Sequence, residues 1–210
     1  ATSATMLRRS VSALARLAAS GIHCPGSLCN SAGLLGFPEL GSHVARPGIA
    51  LYGANPFHGT AWAQLGEGLR PAMDVTAPVL QVHDLPQGTS ISYGRTFVAD
   101  HDMRVAIVAA GYADAYSRGL SNRGAMLLRG RRARVLGRVC MQMTAVDVSD
   151  IPDAAPGDRA YLLGGTGPEA VTPEELAAWW GTITYEVFCL LGLNPRKHVK
   201  AAAERAGERE

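Results

Sequence analysis

The sequence predicts a mixed α+β fold, in which closing units of a (β/α)8 barrel are followed by a mostly antiparallel C-terminal β-domain. An amphipathic helix and two strand-to-turn units come first, in the order that such a barrel requires. Beyond them, apolar residues recur mainly in strand-like runs. We therefore expect barrel units in residues 1–60 and the β-domain in residues 61–210.

The chain opens on a predicted helix. Leu7, Val11, Leu14 and Ala18 recur at intervals of three or four residues, which places them on one helix face. Gly21 follows as a residue suited to end a helix.

Two segments of one form come next. SLCNSAGLL, residues 27–35, and HVARPGIALYG, residues 43–53, each indicate a short buried strand that runs into a helical turn. Glycines and prolines then mark a boundary between residues 53 and 70.

The strands of the second region follow in order. Leu80 and Val82 alternate with Gln81 and His83, which predicts a half-buried strand. The run MRVAIVAA is apolar on both faces and should be a central strand. GAMLLRGRRARVLGRV predicts a hairpin that turns near Gly130, and TAVDVSDIP and PGDRAYLLGG predict two further strands.

The region ends in predicted helix, over TPEELAAWWGTITYEVFCLLGL. Thr172 is suited to cap its first turn, Pro173 to open it, and Glu175 to complete the cap. The glycine run LLGGTGPEA lacks the strand-to-helix setting of a dinucleotide site and indicates a hairpin turn.

The composition and the net charge narrow the classes of function that the chain can have. The 210 residues are 47% apolar, enough for a globular core, and carry a formal charge of only +2 with scattered arginines. Neither a nucleic-acid nor a membrane-surface partner is expected, and no apolar run is long enough to span a bilayer.

Six dispersed histidines disfavour a metal site. The cysteines show no zinc-type spacing, which favours reduced thiols in a cytoplasmic protein; they are Cys24, Cys29, Cys140 and Cys189.

Three residues at strand ends are candidates for chemistry. Tyr93, in ISYGRTF, is either a packing residue or a base. Arg46 precedes Pro47 and Gly48, where backbone N–H groups could meet an anion, although composition alone favours a structural ion pair. Ser31 either caps a helix or binds phosphate.

Six motifs together are more specific than any one of these residues. They occur in the order and spacing of the C-terminal part of the alanine racemase family, which the chain resembles from about Leu28 to Arg196. The motifs are CNSAGLL, RPGIALYG, ISYGRTF, IVAAGYADAYSRGLSN, GRVCMQMTAVDVSD and ITYEVFCLL. The resemblance implies a fold-type III pyridoxal 5'-phosphate enzyme whose N-terminal barrel binds the cofactor, while the β-domain completes the partner subunit's active site.

Roles follow from the resemblance at eight positions. Tyr93 matches the base that exchanges the α-proton on the L-alanine side, across the interface of a homodimer. Arg46 matches the arginine that faces the pyridine nitrogen, where a permanently charged donor keeps that nitrogen unprotonated. The phosphate contacts match Ser31, Gly48, Ile49 and Tyr185. Tyr112, with Tyr185, matches the gate of the substrate channel, and Met141 matches a substrate contact.

A tyrosine base needs nearby positive charge, because a phenol ordinarily has a pKa of about 10. The resemblance implies a histidine and arginine relay for this purpose. Arg95 and Arg138 are local candidates, with ordinary ion pairs as the alternative.

The chain departs from the family pattern at the second base, a lysine that also links to the cofactor. The only lysines here are Lys197 and Lys200, in a charged tail that predicts a solvated segment. Gln142 also stands where an aspartate is common. We therefore expect this chain to be the C-terminal part of a racemase and inactive by itself.

The function implied is interconversion of L- and D-alanine for peptidoglycan precursors, by two bases. Two alternatives stay open. One is a non-catalytic domain of a split or truncated racemase that only binds a partner. The other is a racemase of another small amino acid such as serine.

Overall fold

The computed structural model describes residues 2–38 and 44–195. It divides into two compact units, residues 1–74 with 172–175, and residues 75–171 with 176–210. The helices are α1 Thr2–Ala19, α2 Ser31–Gly36, α3 Pro173–Trp180 and α4 Thr184–Leu191. The strands are β1 Val75–Leu85, β2 Ser90–Ile91, β3 Phe97–Val98, β4 Met103–Val108, β5 Ala125–Leu128, β6 Arg131–Leu136, β7 Thr144–Asp147 and β8 Arg159–Leu163.

The first unit begins with the predicted helix. α1 runs over the apolar spacing of the sequence, and the chain leaves it through Gly21 at φ 77°, a conformation that glycine adopts freely. The Gly21 N–H donates to the Ala18 carbonyl at 3.0 Å. The predicted helix and its end are both confirmed.

Two extended segments of the first unit run side by side in parallel. Asn30 and Arg46 form a parallel bridge, and the Arg46 N–H donates to the Cys29 carbonyl at 3.0 Å. The first segment continues into α2 and the second into a 3₁₀ turn over Ile49–Tyr52. Parallel neighbours that each run into a helical turn are the form predicted for barrel units. The prediction of two short buried strands is wrong in detail, because each segment contributes one bridge residue rather than a strand, and residues 44–46 are exposed.

The second unit is built on a closed antiparallel barrel in the order β1-β4-β7-β6-β5-β8. β4 lies between β1 and β7, as its two apolar faces predict, and Val105, Ala106 and Val108 are buried. Closure leaves these six strands without a free edge. The predicted antiparallel β-domain is confirmed.

One strand prediction is wrong in detail. The pairing of β1 with β4 shifts between Val79 and Gln81, so Leu80 lies on a bulge and is 46% exposed. Ala77 and Val79 point to the core instead. An extra residue in one strand reverses the alternation beyond it, and the apolar pattern alone does not show where the pairing shifts.

The hairpin of β5 and β6 turns at Arg129 and Gly130, which have φ of 48° and 78°. Two central residues with positive φ form the turn type that matches strand twist, so the predicted turn near Gly130 is confirmed. The glycine run is likewise a turn: Gly164 and Val171 exchange backbone hydrogen bonds of 2.8 and 3.0 Å.

The helical end of the chain consists of two helices. The Thr172 hydroxyl accepts from the Glu175 N–H at 3.1 Å, and the Glu175 carboxylate accepts from the Thr172 N–H at 3.1 Å, which is the predicted reciprocal cap. Gly181, at φ 84°, ends α3 before α4 begins.

All four cysteines lie in the described residues, and none of them forms a disulfide. Of the described helices, none combines the length and the apolar character needed to cross a bilayer. Within residues 2–38 and 44–195, no three histidine, cysteine, aspartate or glutamate side chains gather as metal ligands.

Asp158 gives the β-barrel unit an acid-sensitive contact. Arg129 donates to both of its carboxylate oxygens, at 2.6 and 2.7 Å, and the Ala155 N–H adds a bond of 2.9 Å. The hydrogen bonds from Arg129 hold the pKa of Asp158 below its usual value. A lowered pKa stabilises the folded state above the unfolded value, about 3.9, and this contribution disappears as the pH falls through the folded value.

Asp158→Asn should therefore lower the free energy of unfolding at pH 7 by about 0.5–1 kcal/mol, a modest value because the arginine is half exposed. The difference from the wild type should shrink towards pH 3. Urea unfolding at both pH values measures it, with Asp153→Asn in the same loop as control. A difference that does not shrink in acid would contradict the assignment.

Candidate active site

The buried hydroxyl of Ser31 organises one end of the first unit. Ser31 is only 2% exposed, and its Oγ accepts from the backbone N–H groups of Gly48 and Ala50 at 2.9 and 3.1 Å. Because both bonds are accepted, the hydroxyl proton remains available to donate. The N–H of Ile49, between these two donors, has no acceptor among the described residues.

This arrangement has the donors of an anion site. A β-carbon built on Gly48 would meet no atom within 4 Å, so the backbone is open to approach there. A hydroxyl and a backbone N–H at the first turn of a helical segment are donors that a phosphate group accepts. The residues thus fit the phosphate of a cofactor.

Arg46 lies beside this group, since its backbone bridges to Asn30, the residue before Ser31. One guanidinium nitrogen, Nη1, donates to the Ser27 carbonyl at 2.7 Å and also to the Ser27 hydroxyl. No described carboxylate pairs with Arg46, so the ion-pair alternative has no partner within that part of the chain.

Tyr93 begins a 3₁₀ turn that joins β2 to β3, in the second unit. The backbone around it is left-handed at Ser92, Gly94 and Arg95, with φ of 65°, 73° and 48°. The tyrosine is 76% exposed. A packing role within this chain would bury the phenol, so its exposure favours the interpretation as a base.

Tyr112 and Met141 lie next to each other in the same unit. The Tyr112 N–H donates to the Cys140 carbonyl at 3.0 Å, and the Ala113 N–H donates to the Met141 carbonyl at 2.8 Å. Both side chains are exposed. Two adjacent backbone bonds therefore hold an exposed phenol and an exposed thioether at one place.

The segment that follows Tyr112 contains a second tyrosine, which is buried rather than exposed. Tyr116 is fully buried, and its hydroxyl has no hydrogen-bond partner among the described residues. Burial raises the pKa of Tyr116 above its ordinary value. This phenol stays protonated and is unsuited to act as a base.

Three further candidates lie in the second unit. Tyr185 is in the first turn of α4 and is about half exposed, and Gln142 is exposed beside Met141. Arg138 approaches the tyrosine turn, since a β-carbon on Gly94 would lie 3.4 Å from its Nε. Lys197 and Lys200 lie outside the described residues.

Comparison with known protein families finds a match that covers the whole barrel of the second unit. The family model for the alanine racemase C-terminal domain matches residues 72–199. The chain belongs to the alanine racemase family. The model for the alanine racemase N-terminal domain matches residues 1–56.

Curated alanine racemases match closely over this length. The chain is 72% identical over 173 residues to the alanine racemase of Nitratidesulfovibrio vulgaris strain Miyazaki F. The aligned region covers 82% of this chain and 46% of that protein. The chain is 53% identical over 167 residues to that of Lawsonia intracellularis, over 79% of the chain and 44% of the relative. The chain thus spans about half the length of the curated relatives it matches.

Solved alanine racemase structures agree in fold. The biosynthetic enzyme of Pseudomonas aeruginosa is 37% identical with a TM-score of 0.73, over 85% of this chain and 48% of that one. The enzyme of Streptomyces coelicolor A3(2) is 31% identical with a TM-score of 0.82, over 94% and 52%.

In each unit, some of the positions that the resemblance to alanine racemases singles out lie close together. The first unit brings Arg46 close to Ser31, Gly48 and Ile49 through one parallel bridge and two hydrogen bonds. In the second unit, Tyr112 and Met141 adjoin directly. Their roles stay predictions.

The sequence alone did not single out the residues that hold this candidate site in place. A β-carbon on Gly111 would lie 2.2 Å from the Cys140 carbonyl oxygen, so only glycine permits that approach. Ser92 takes a conformation rarely found outside glycine, and its Oγ donates to the Arg138 carbonyl at 2.8 Å. The glycine directly before Tyr112 was the one available signal, whereas nothing local marks Ser92.

Proposed function

We propose that the protein carrying this chain is a pyridoxal 5'-phosphate-dependent racemase that interconverts L- and D-alanine. This chain would supply the cofactor's phosphate site and one of two bases. The observation that carries the proposal is the exposed Tyr93 on a turn whose left-handed backbone the structure holds in place. Family membership supports it.

The first unit would hold the cofactor. When bound, the pyridoxal group withdraws electrons from the α-carbon of the amino acid and so acidifies its proton. The Ser31 hydroxyl and the Ile49 N–H would donate to the phosphate, at the open backbone of Gly48, with Tyr185 as a further phosphate contact. Arg46 would donate to the ring nitrogen and keep it unprotonated.

The second unit would act on the substrate. Tyr93 would take or return the α-proton on the L-alanine side, and its exposure leaves it able to reach a partner subunit's barrel. Tyr112 and Met141 would shape the substrate channel beside it. We place the barrel units in residues 1–60, the β-domain in residues 61–210, and the protein in a cytoplasmic homodimer that makes D-alanine for peptidoglycan.

A racemase needs a second base on the opposite face of the α-carbon. In this chain, lysine occurs only at positions 197 and 200. We propose that the cofactor-linked lysine belongs to a barrel segment outside these 210 residues. The same observation favours the second candidate, a domain that only binds a partner.

Reconstitution distinguishes the two functions. The chain is mixed with a fragment of a relative that supplies the early barrel with its lysine, and L-to-D alanine exchange is measured. Activity supports the racemase, while a soluble complex without activity supports the binding domain. The chain alone should show no borohydride-reducible cofactor adduct, and an adduct on Lys197 or Lys200 would contradict the proposed source of the lysine.

Ser31→Ala tests the phosphate site separately. The substitution removes one donor to a charged group, a loss of about 1.5–3 kcal/mol, and should weaken cofactor binding about 10- to 100-fold. Titration with pyridoxal phosphate, followed by absorbance, measures the affinity in the reconstituted protein. Ser20→Ala is the control, because among the described residues the Ser20 hydroxyl bonds only to the Arg16 carbonyl on α1. Equal affinity of the wild type and Ser31→Ala would remove Ser31 from the site.

A further inference from the structure

The turn that carries the candidate base has little support from its own strands. β2 and β3 pair over only two residue pairs, Ser90 with Val98 and Ile91 with Phe97. A ribbon of this length is marginal by itself. The turn also contains the non-glycine residues Ser92 and Arg95 at positive φ, which persist only where surrounding groups enforce them. Something outside the ribbon must therefore fix Tyr93.

We propose that Ser92 and Asn122 are positioning residues that clamp this turn to the segment Gly137–Cys140 and so aim the Tyr93 hydroxyl. The inference rests on the proposed function and deepens it, because both residues would act through Tyr93 on proton transfer at one face of the substrate.

Ser92 holds the beginning of the turn. Its hydroxyl donates to the Arg138 carbonyl at 2.8 Å and lies 3.4 Å from the Cys140 thiol. The approach is tight, since a β-carbon on Gly137 would lie 2.8 Å from the Ile91 carbonyl oxygen and 3.0 Å from the Ser92 β-carbon. Glycine at 137 is what allows the serine to reach this segment.

Asn122 holds the end of the turn. Its amide nitrogen donates to the carbonyl and the hydroxyl of Thr96, at 3.3 and 3.2 Å. Its amide oxygen accepts from the Gly137 N–H at 2.6 Å, and its own N–H donates to the Gly137 carbonyl at 3.1 Å. One side chain thus joins the last residue of the turn to the same segment that Ser92 contacts.

The clamped segment is itself anchored and continues into the substrate-facing residues. The Val139 N–H donates to the Ser121 hydroxyl at 3.0 Å, and the Cys140 carbonyl accepts from Tyr112 at 3.0 Å. Met141 follows directly. The clamp therefore ties Tyr93 to the backbone that places Tyr112 and Met141, so that base and channel residues keep one geometry. A displacement of about 1 Å at a reacting group can cost about 10²-fold in rate.

Three variants separate the two ends of the clamp. Ser92→Gly removes the hydroxyl while glycine accepts the positive φ without strain. Asn122→Asp keeps the acceptor for Gly137 but removes both donors to Thr96, and Asn122→Gly removes every side-chain bond. Ser117→Ala is the matched control: Ser117 is half-buried like Ser92, and among the described residues its hydroxyl accepts only from the nearby Gly119 N–H, at 3.0 Å.

The measurement is loss of the α-proton in D₂O from L-alanine and from D-alanine, with the pyridoxal phosphate-loaded protein that carries these residues. We expect Ser92→Gly and Asn122→Gly to slow exchange from L-alanine about 10- to 100-fold, with Asn122→Asp between them and the wild type. Exchange from D-alanine and the thermal midpoint should change little. Adding Ser92→Gly to Tyr93→Phe should cause no further loss, because the serine acts through the tyrosine.

Equal slowing from both enantiomers, or a further loss in the Tyr93→Phe background, would overturn the inference and leave a purely structural role for the clamp. A wild type that exchanges neither enantiomer would overturn the proposed function, and the inference with it. Normal exchange by the wild type with symmetric losses in the variants would overturn the inference alone.

Discussion

Replacing Tyr93 with phenylalanine is expected to slow α-proton exchange from L-alanine by about 10²- to 10⁴-fold, the usual contribution of a general base. Exchange from D-alanine should continue, because the base on the other face takes and returns that proton. The folded state should be unaffected: the ring is 76% exposed, and the bonds that hold the turn come from Ser92 and Asn122.

The measurement follows proton loss in D₂O by NMR, starting separately from each enantiomer, with the reconstituted or whole protein. Tyr161→Phe is the matched control, since Tyr161 lies on β8, is half-buried and has no candidate role. Equal losses from both enantiomers would make Tyr93 a substrate contact rather than a one-sided base. Undiminished exchange from L-alanine would place the base elsewhere.

Local features of the fold could be predicted from the sequence because nearby residues decide them. The apolar spacing over residues 7–18 predicts the helix α1, Thr172 and Glu175 form a cap within one turn, and the turn at Gly130 needs only its own backbone. Apolar residues on both faces of MRVAIVAA likewise predicted a strand with neighbours on each side.

Barrel closure could not be predicted in the same way. β1 pairs with β8 from Val75 to Pro78 and with β4 from Val79 to Leu85, so one strand serves two neighbours that are distant in sequence. The bulge at Leu80 lies close to the point where β1 passes from one neighbour to the other, and the apolar pattern of β1 does not show it. Register across a closed sheet depends on contacts that one segment does not encode.

The candidate site divides in the same way, between residues that a local motif singles out and residues that act through distant contacts. A recognisable motif singled out Tyr93, Tyr112 and Met141, but the residues that hold them act across the chain. Ser92 reaches Arg138 over 46 positions, and Asn122 reaches Thr96 over 26. A serine before a tyrosine gives no local sign of such a contact, because the signal is a close backbone approach that only the folded chain reveals.

Gly111 is the position where that approach is closest, and Gly111→Ala should be the most destabilising of the substitutions considered. The added β-carbon would lie 2.2 Å from the Cys140 carbonyl oxygen and 2.5 Å from that of Met141, whereas real β-carbons essentially never come within 3.0 Å of another heavy atom. Both oxygens belong to backbone that cannot rotate away. The hydrogen bonds from Tyr112 and Ala113 to these carbonyls must break or lengthen.

We expect a loss of about 3 kcal/mol in the free energy of unfolding, at the upper end for overpacking, and a raised KM for alanine because Tyr112 and Met141 separate. Urea unfolding of the chain and steady-state kinetics of the reconstituted protein measure the two effects. Gly68→Ala is the control, since a β-carbon there meets nothing within 4 Å, and it should change stability by less than about 0.5 kcal/mol. A Gly111→Ala protein as stable as the wild type would show that the contact between these two backbone segments is looser than the structure places it, and the same looseness would then extend to the Tyr93 clamp, which is built on the neighbouring residues.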